Sequence, residues 1–349
     1  MDVLIGALET SKEWFSNVST WMEADRAITN DKLYDLVIIP GEVKDGLFNV
    51  TIARPDAEFL YPFAFENDFR DGGPWSIWAR ENMHLPFIFV ALYVTTVFGG
   101  KAWMKGRDAF KLRKYWILWN ALLSAFSWCG ALRMIPHLVL LVQERSFFTS
   151  YCGTSAQTYG WGQASGLWTV LFIFSKVPEL FDTHFIIFSK SKLHFIQWYH
   201  HITVLLYTWH SYATRSGAGI WFITMNYTVH AVMYMYFALM LVTSEQKSRA
   251  YKLEDGEAKS KALRAVGRFR GRLGFFAPLI TVMQITQMAV GVTIMCLIMR
   301  DSSAFFGDLA CFVRRSSVVY GVGMYFSYLC LFVWFGVQKY FCTQKSHKD

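Results

Sequence analysis

The sequence predicts an all-α membrane protein with seven transmembrane helices, and three observations carry that expectation. The 349 residues are 54% hydrophobic and only 17% charged, a balance unlike that of soluble domains. Seven apolar stretches of spanning length occur at 84–100, 115–143, 165–189, 194–213, 218–243, 275–298 and 317–338, each long enough as a helix to cross or nearly cross about 30 Å of hydrocarbon. The connections alternate in charge. Twenty Lys/Arg lie in 101–114, 190–192, 244–274 and the tail, whereas the other connections hold only Arg145, Arg215, Arg300, Arg314 and Arg315. Basic connections stay cytoplasmic, so the amino terminus is expected to be lumenal and the carboxyl terminus cytoplasmic.

Taken in order, residues 1–83 form an acidic extension with seven Lys/Arg against fifteen Asp/Glu and no apolar run. Nothing there reads as a signal peptide or a span. Asn17-Val-Ser19 and Asn49-Val-Thr51 are glycosylation sequons, usable if this extension is lumenal. Residues 84–338 form the membrane domain, and 339–349 a basic tail. Cys152 and Cys311 fall in two lumenal connections and are a disulfide candidate, because an oxidising compartment permits the bridge. The net charge of +8 is concentrated in loops between spans. That placement disfavours nucleic acid and fits a membrane lipid surface or an anionic substrate.

Ionisable groups at membrane depth cost about 2.5–3.5 kcal/mol each, so they must face a protein interior. Six of the nine histidines fall between His184 and His230, with His200 and His201 adjacent. A rise of about 1.5 Å per residue puts Asp182, Glu179, His200, His201, His230 and Tyr234 about 10–20 Å inside the cytoplasmic ends of three spans, and Thr281, Gln284 and Gln287 about 9–18 Å inside a fourth. Spacing supports one layer. Lys176, Glu179 and Asp182 or Thr183 repeat at three or four residues, as do Gln197 with His201, Asn226 with His230 and Tyr234, and Gln284 with Gln287. Taken singly, Lys176 with Glu179 could be a packing ion pair and the glutamines interhelical glue. Their coincidence at one depth points to a site.

A catalytic metal is disfavoured. The histidines are too few for a membrane di-iron centre, position 197 is glutamine, and no cysteine or carboxylate accompanies His200 and His201 at zinc-binding spacing. Metal-free work fits better, since imidazole can act as base, acid or nucleophile near neutrality. Basic loops above the layer, with Arg268, Arg270 and Arg272 as candidates, suit the phosphates of coenzyme A. A seven-span receptor or transporter is the alternative. A transporter usually shows repeats or broken helices; no repeat is found, and Pro178 is the one feature in its favour.

These residues resemble the ELO family of very-long-chain fatty acid elongases. The similarity rests on Lys176-Val-Pro-Glu179-Leu-Phe-Asp182-Thr183, Tyr199-His200-His201-Ile-Thr-Val-Leu-Leu-Tyr, Met225-Asn226-Tyr227-Thr-Val-His230-Ala-Val-Met233-Tyr234 and Thr281-Val-Met-Gln284-Ile-Thr-Gln287, with Gly130-Ala-Leu-Arg133 in support. It runs from about Phe87 to the carboxyl terminus and is nearest the branch acting on saturated and monounsaturated acyl-CoAs. The usual first histidine of the histidine box is Gln197 here, which marks that position as tuning or orienting. The resemblance implies six of the helices arranged as a barrel around an acyl-CoA tunnel in the endoplasmic reticulum membrane. It implies decarboxylative condensation of acyl-CoA with malonyl-CoA to 3-oxoacyl-CoA, CoA and carbon dioxide, with no further cofactor. The reductases and dehydratase of the cycle are the implied partners, and a homo-oligomer is left open. None of the six cysteines lies near the histidine layer, leaving imidazole as nucleophile. On this reading His200 accepts the acyl group, or acts only as base in a direct route. His201 and Asp182 orient it, His230 and Asn226 stabilise the malonyl-derived enolate, and Lys176 and Glu179 hold the pocket.

Overall fold

The computed structural model describes residues 63–67, 69, 72–160, 163–301, 311 and 313–342. The sequons at Asn17 and Asn49, most of the acidic extension and the end of the basic tail lie outside the described residues. Every regular element among the described residues is helical. In chain order these are α1 (Ala64–Asn67), α2 (Gly73–Glu81), α3 (Leu85–Trp103), α4 (Arg113–Glu144), α5 (Phe147–Cys152), α6 (Ser155–Thr158) and α7 (Gln163–Glu179). There follow α8 (Phe181–Phe188), α9 (Phe195–Ala213), α10 (Gly219–Ala250), α11 (Glu257–Gly274), α12 (Phe276–Asp301) and α13 (Arg315–Val337).

Packing contacts between neighbours close a ring in the order α4, α10, α12, α13, α9, α7 and back to α4, with α3 outside it against α8 and α9. Two apolar clusters hold the ring. One is built on Met134, Trp168, Phe172, Trp209 and Tyr227, the other on Met288, Met295, Met324, Tyr325 and Tyr328. Small residues allow the close approaches. A Cβ on Gly130 would fall 2.5 Å from the Tyr227 ring, and one on Gly291 would fall 2.7 Å from Tyr325. The outward faces carry Phe87, Leu92, Leu118, Leu132, Val282 and Phe326 exposed, as lipid contact requires.

Five helical segments are long and apolar enough to cross a membrane: Leu85–Gly106, Arg113–Glu144, Gly219–Ala250, Glu257–Asp301 and Arg315–Cys342. Two of the seven expected stretches therefore fall short, for identifiable reasons. The stretch 165–189 is interrupted at Leu180, between α7 and α8. Pro178 has no N–H to bond the preceding turn, and Leu180 N instead reaches Val177 O at 3.2 Å, a tighter turn. The nineteen residues of α9 are diluted by Gln197, His200, His201 and His210. The stretch 275–298 is the far part of a longer rod that begins in the basic helix α11.

The last residues of the acidic extension pack against the helical domain. Glu66 is fully buried, accepting from Arg133 Nη2 (2.7 Å) and Nε (3.0 Å) and from Trp168 Nε1 (2.8 Å). Trp209 Nε1 donates to Ala79 O, and Tyr212 OH to Gly72 O, each at 2.8 Å. Cys152 and Cys311 are joined in a disulfide that ties α5 to the segment before α13. This "disulfide end" is opposite the basic connections.

Candidate active site

The site forms where α7, α8, α9 and α10 meet on the basic side of the ring. On α7, Lys176 and Glu179 are three residues apart and share a face. Lys176 Nζ lies 2.7 and 3.0 Å from the two Glu179 oxygens and 4.1 Å from the Phe172 ring centre. Ser175 Oγ donates to the same carboxylate at 2.8 Å. Lys176 is 3% and Glu179 4% exposed, so each ion depends on the other for compensation in a low-dielectric interior.

From this pair a directed chain of hydrogen bonds reaches α10. Lys176 Nζ donates to Asn226 Oδ1 at 3.2 Å, and Asn226 Nδ2 lies 3.2 Å from His230 Nε2. Because Asn226 uses its oxygen on lysine, its nitrogen must donate, and Nε2 of His230 is the acceptor. The imidazole proton then sits on Nδ1, which faces Glu179 Oε2 at 4.0 Å. The network thus fixes a single tautomer of His230.

Asp182 occupies the first turn of α8, just past the helix break. Its two oxygens accept from Trp119 Nε1 and from Tyr234 OH, each at 2.5 Å. His201 Nε2 is 4.0 Å away. The expected orienting role of His201 and Asp182 toward His200 has no hydrogen bond behind it among the described residues. Asp182 is occupied by tryptophan and tyrosine donors, and Nδ1 of His200 is buried with no hydrogen-bond partner. The His200 and His201 rings stand 5.7 Å apart edge to face, and the Tyr328 ring lies 5.0 Å from His200. Tyr328 OH donates to the His200 carbonyl at 3.2 Å. Packing against Tyr328, rather than a carboxylate, holds His200.

The remaining candidates divide. Thr183 faces α3, sharing a 2.7 Å hydrogen bond with Tyr93 OH. Gln197 is not in the histidine layer: it is the third residue of α9, and its Oε1 accepts from His194 N at 3.0 Å in a capping box. On α12, Thr281 Oγ1 bonds Ala277 O and Tyr340 OH, Gln284 Nε2 reaches Met233 Sδ at 3.3 Å, and Gln287 is buried. The arginines on α11 separate as helical geometry requires. Arg268 and Arg272, four apart, are exposed, while Arg270 Nη1 is spent on Met240 O, Thr243 Oγ1 and Ser244 Oγ. Trp119, Tyr93 and Tyr328 are site residues that motif spacing did not indicate.

A recess runs from Asn226 into the ring toward the disulfide end, with Phe172, Val204, Phe222 and Ile223 among its walls. The arrangement is a polar reaction centre opening onto a largely apolar recess. It offers one unpaired imidazole nitrogen, one tautomer-fixed imidazole and one buried ammonium. That set can accept an acyl group and stabilise a developing enolate.

A family model described as the GNS1/SUR4 family, ELO, matches residues 78–253 and 262–348. A protein named very long chain fatty acid elongase 6 from Gallus gallus is 38% identical over 281 residues, covering 80% of this chain and 93% of the relative. The Homo sapiens protein of that name is 38% identical with the same coverage. A fatty acid elongase 3 from Trypanosoma cruzi is 35% identical, covering 76% of this chain and 86% of the relative.

Proposed function

The chain belongs to the ELO family of fatty acid elongases, and from that premise we propose how its own residues carry out the condensing step. It is an elongase that joins a long-chain acyl-CoA to malonyl-CoA, giving a 3-oxoacyl-CoA two carbons longer, CoA and carbon dioxide. The observation that carries the mechanism is the unpaired, buried Nδ1 of His200 beside a network that already fixes His230.

A nitrogen of His200 attacks the thioester carbonyl, the C–S bond breaks, and the departing thiolate takes the imidazole proton to leave as CoA. The acyl group is then held as an acyl-imidazole while its tail occupies the cavity beyond Val204 and Asn226. Malonyl-CoA enters next and loses carbon dioxide, whose bonding pair becomes the enolate. The Lys176 ammonium, acting through the Asn226 amide, stabilises that charge in a water-poor site, and His230, whose N–H faces Glu179, orients the amide. The enolate forms the new C–C bond, the C–N bond breaks, and His200 recovers its proton from the medium. No metal or organic cofactor enters beyond the two thioesters.

In the same reading all seven apolar stretches cross the endoplasmic reticulum membrane, α7 with α8 and α9 included. The amino terminus is lumenal and the carboxyl terminus cytoplasmic. The charge bias of the connections supports this, as does a disulfide on the side opposite the basic loops. Arg268 and Arg272 receive CoA phosphates, and the reductases and dehydratase of the cycle act on the product.

Purified chain supplied with labelled malonyl-CoA and a long-chain acyl-CoA is expected to incorporate label, and His200→Ala to lose it. Wild-type protein that incorporates nothing overturns the elongase reading. With acyl-CoA alone, intact mass should rise by one acyl group on the wild type and not on His200→Ala. An unchanged mass with normal incorporation points instead to direct condensation, with His200 as base.

A further inference from the structure

A hydrogen bond orients His230, but Nδ1 of His200 is buried and has none. An imidazole in that condition keeps its direction by packing, and two rings pack on it. The His201 ring, from the next residue of α9, is 5.7 Å away. The Tyr328 ring, from α13, is 5.0 Å away at 54°. Tyr328 is itself held firmly. It is 1% exposed, and its hydroxyl donates to the His200 carbonyl at 3.2 Å and shares a hydrogen bond with Thr203 Oγ1, one turn on. The preceding residue, Ser327, shares a 3.0 Å hydrogen bond with Tyr199 OH. The Tyr325 ring stands 6.4 Å from Tyr328 and stacks on Phe222 of α10 at 4.6 Å. Tyr325 in turn sits on bare backbone of α12, where a Cβ on Gly291 would fall 2.7 Å from its Cδ1. Contacts from α9, α10 and α12 thus fix one ring. The Tyr328 hydroxyl is spent on α9; what its ring offers His200 is a wall.

We propose that the aromatic ring of Tyr328 positions His200 for the reaction, holding the imidazole at the angle from which a ring nitrogen reaches the thioester. The inference rests on the elongase reading. Tyr328 is a positioning residue: it acts through His200 and touches neither thioester. Its effect therefore belongs to the chemical step. Reacting atoms must meet aligned and about 3–3.5 Å apart, and a misplacement of about 1 Å costs about 100-fold. A flexible side chain in place of the ring frees His200 to visit other staggered rotamers, in which its nitrogen is misdirected. The requirement is the same if His200 acts as a base, since proton transfer also demands hydrogen-bond reach. Substrate binding draws on the recess and the basic end of the ring, so it is untouched.

The test uses the purified full chain with palmitoyl-CoA and malonyl-CoA, and reads kcat and KM per mole of folded protein. Tyr328→Met keeps much of the volume and removes the rigid ring. Tyr328→Leu repeats the deletion with a different shape, so that a fold lost in one leaves the other to decide. Each should lower kcat by about 10–100-fold, with KM for both thioesters within about threefold of wild type. Tyr328→Phe keeps the ring and loses the hydroxyl; it should melt lower yet hold kcat within about threefold. A merely structural residue would lower melting in all three variants and leave kcat per folded molecule alone. Wild-type kcat in a folded ring-less variant overturns the proposal. So does a Tyr328→Phe that falls as far as Tyr328→Met, because the hydroxyl would then be the cause, and so does a raised KM at unchanged kcat. Wild-type protein that extends palmitoyl-CoA not at all is a different result and sinks the elongase reading itself.

Discussion

At the scale of single residues, the Lys176–Glu179 pair decides how much of the site is scaffold. Both side chains are almost fully buried, at 2.7 Å from one another. Removing one partner leaves a bare ion in a low-dielectric interior, and such losses run to about 3–5 kcal/mol. Glu179→Gln should therefore destabilise the protein by about that amount, read from denaturation in detergent, whereas Lys176→Met combined with Glu179→Leu should cost less than either single change. Additive losses would show that the pair is solvated. The double variant should still be inactive, because Asn226 and His230 lose their orienting donor. Trp119→Phe isolates a second contact: it deletes one of the two donors to Asp182 and should cost about 1.5–3 kcal/mol. A cycle with Asp182→Asn should show that loss shrinking if the hydrogen bond is its cause. Spacing made the first network legible, since partners three and four apart on a helix must share a face. Trp119 and Tyr93 stayed hidden because their partners are 63 and 90 residues away. The capping role of Gln197 stayed hidden because it depends on α9 starting at Phe195, a boundary that apolar length does not fix to the residue.

At the scale of elements, the α7–α8 break is what aims Asp182. Helix α7 ends at Glu179 and α8 restarts at Phe181, so Lys176 and Glu179 turn toward α10 while Asp182 turns toward Trp119 and Tyr234. A continuous helix would hold Glu179 and Asp182 in fixed register, and the two contacts could not both be met. Pro178→Ala restores the missing N–H and favours continuity. We expect it to leave stability unchanged or higher and to lower kcat by about 10–100-fold, the penalty for displacing reacting groups by about 1 Å. Equal kcat in variant and wild type would mean that the break has no bearing on the site. The sequence made most helices readable through apolar length. It blurred α7, α8 and α9, whose polar residues serve the site instead of the span. Local rules assign such stretches poorly because their polarity answers to partners on other helices.

At the scale of the whole molecule, the ring must stay closed at the disulfide end while its basic end admits two large thioesters. Closure there is built from distant chain segments: Glu66 with Arg133 and Trp168, Gly72 and Ala79 with Tyr212 and Trp209, and Cys152 with Cys311. None of these pairings follows from periodicity, although charge bias and compartment singled out the two cysteines. The bridge joins residues 159 apart, a loop long enough that cross-linking restrains the unfolded chain by about 2–4 kcal/mol. The reaction centre lies about 16 Å from Gly219 at that end, so the bridge should affect stability far more than chemistry. The Cys152→Ser/Cys311→Ser variant is expected to melt below the wild type, and reductant should lower the wild type to match it without shifting the variant. Turnover measured well below the melting range should remain within about twofold of wild type, since the partners given above for His200, His230 and Asp182 lie on α4, α7, α9, α10 and α13. A variant that melts with oxidised wild type would assign closure to the Glu66 and Trp209 contacts. A variant that folds normally yet loses turnover would mean that the two ends of the ring are mechanically coupled.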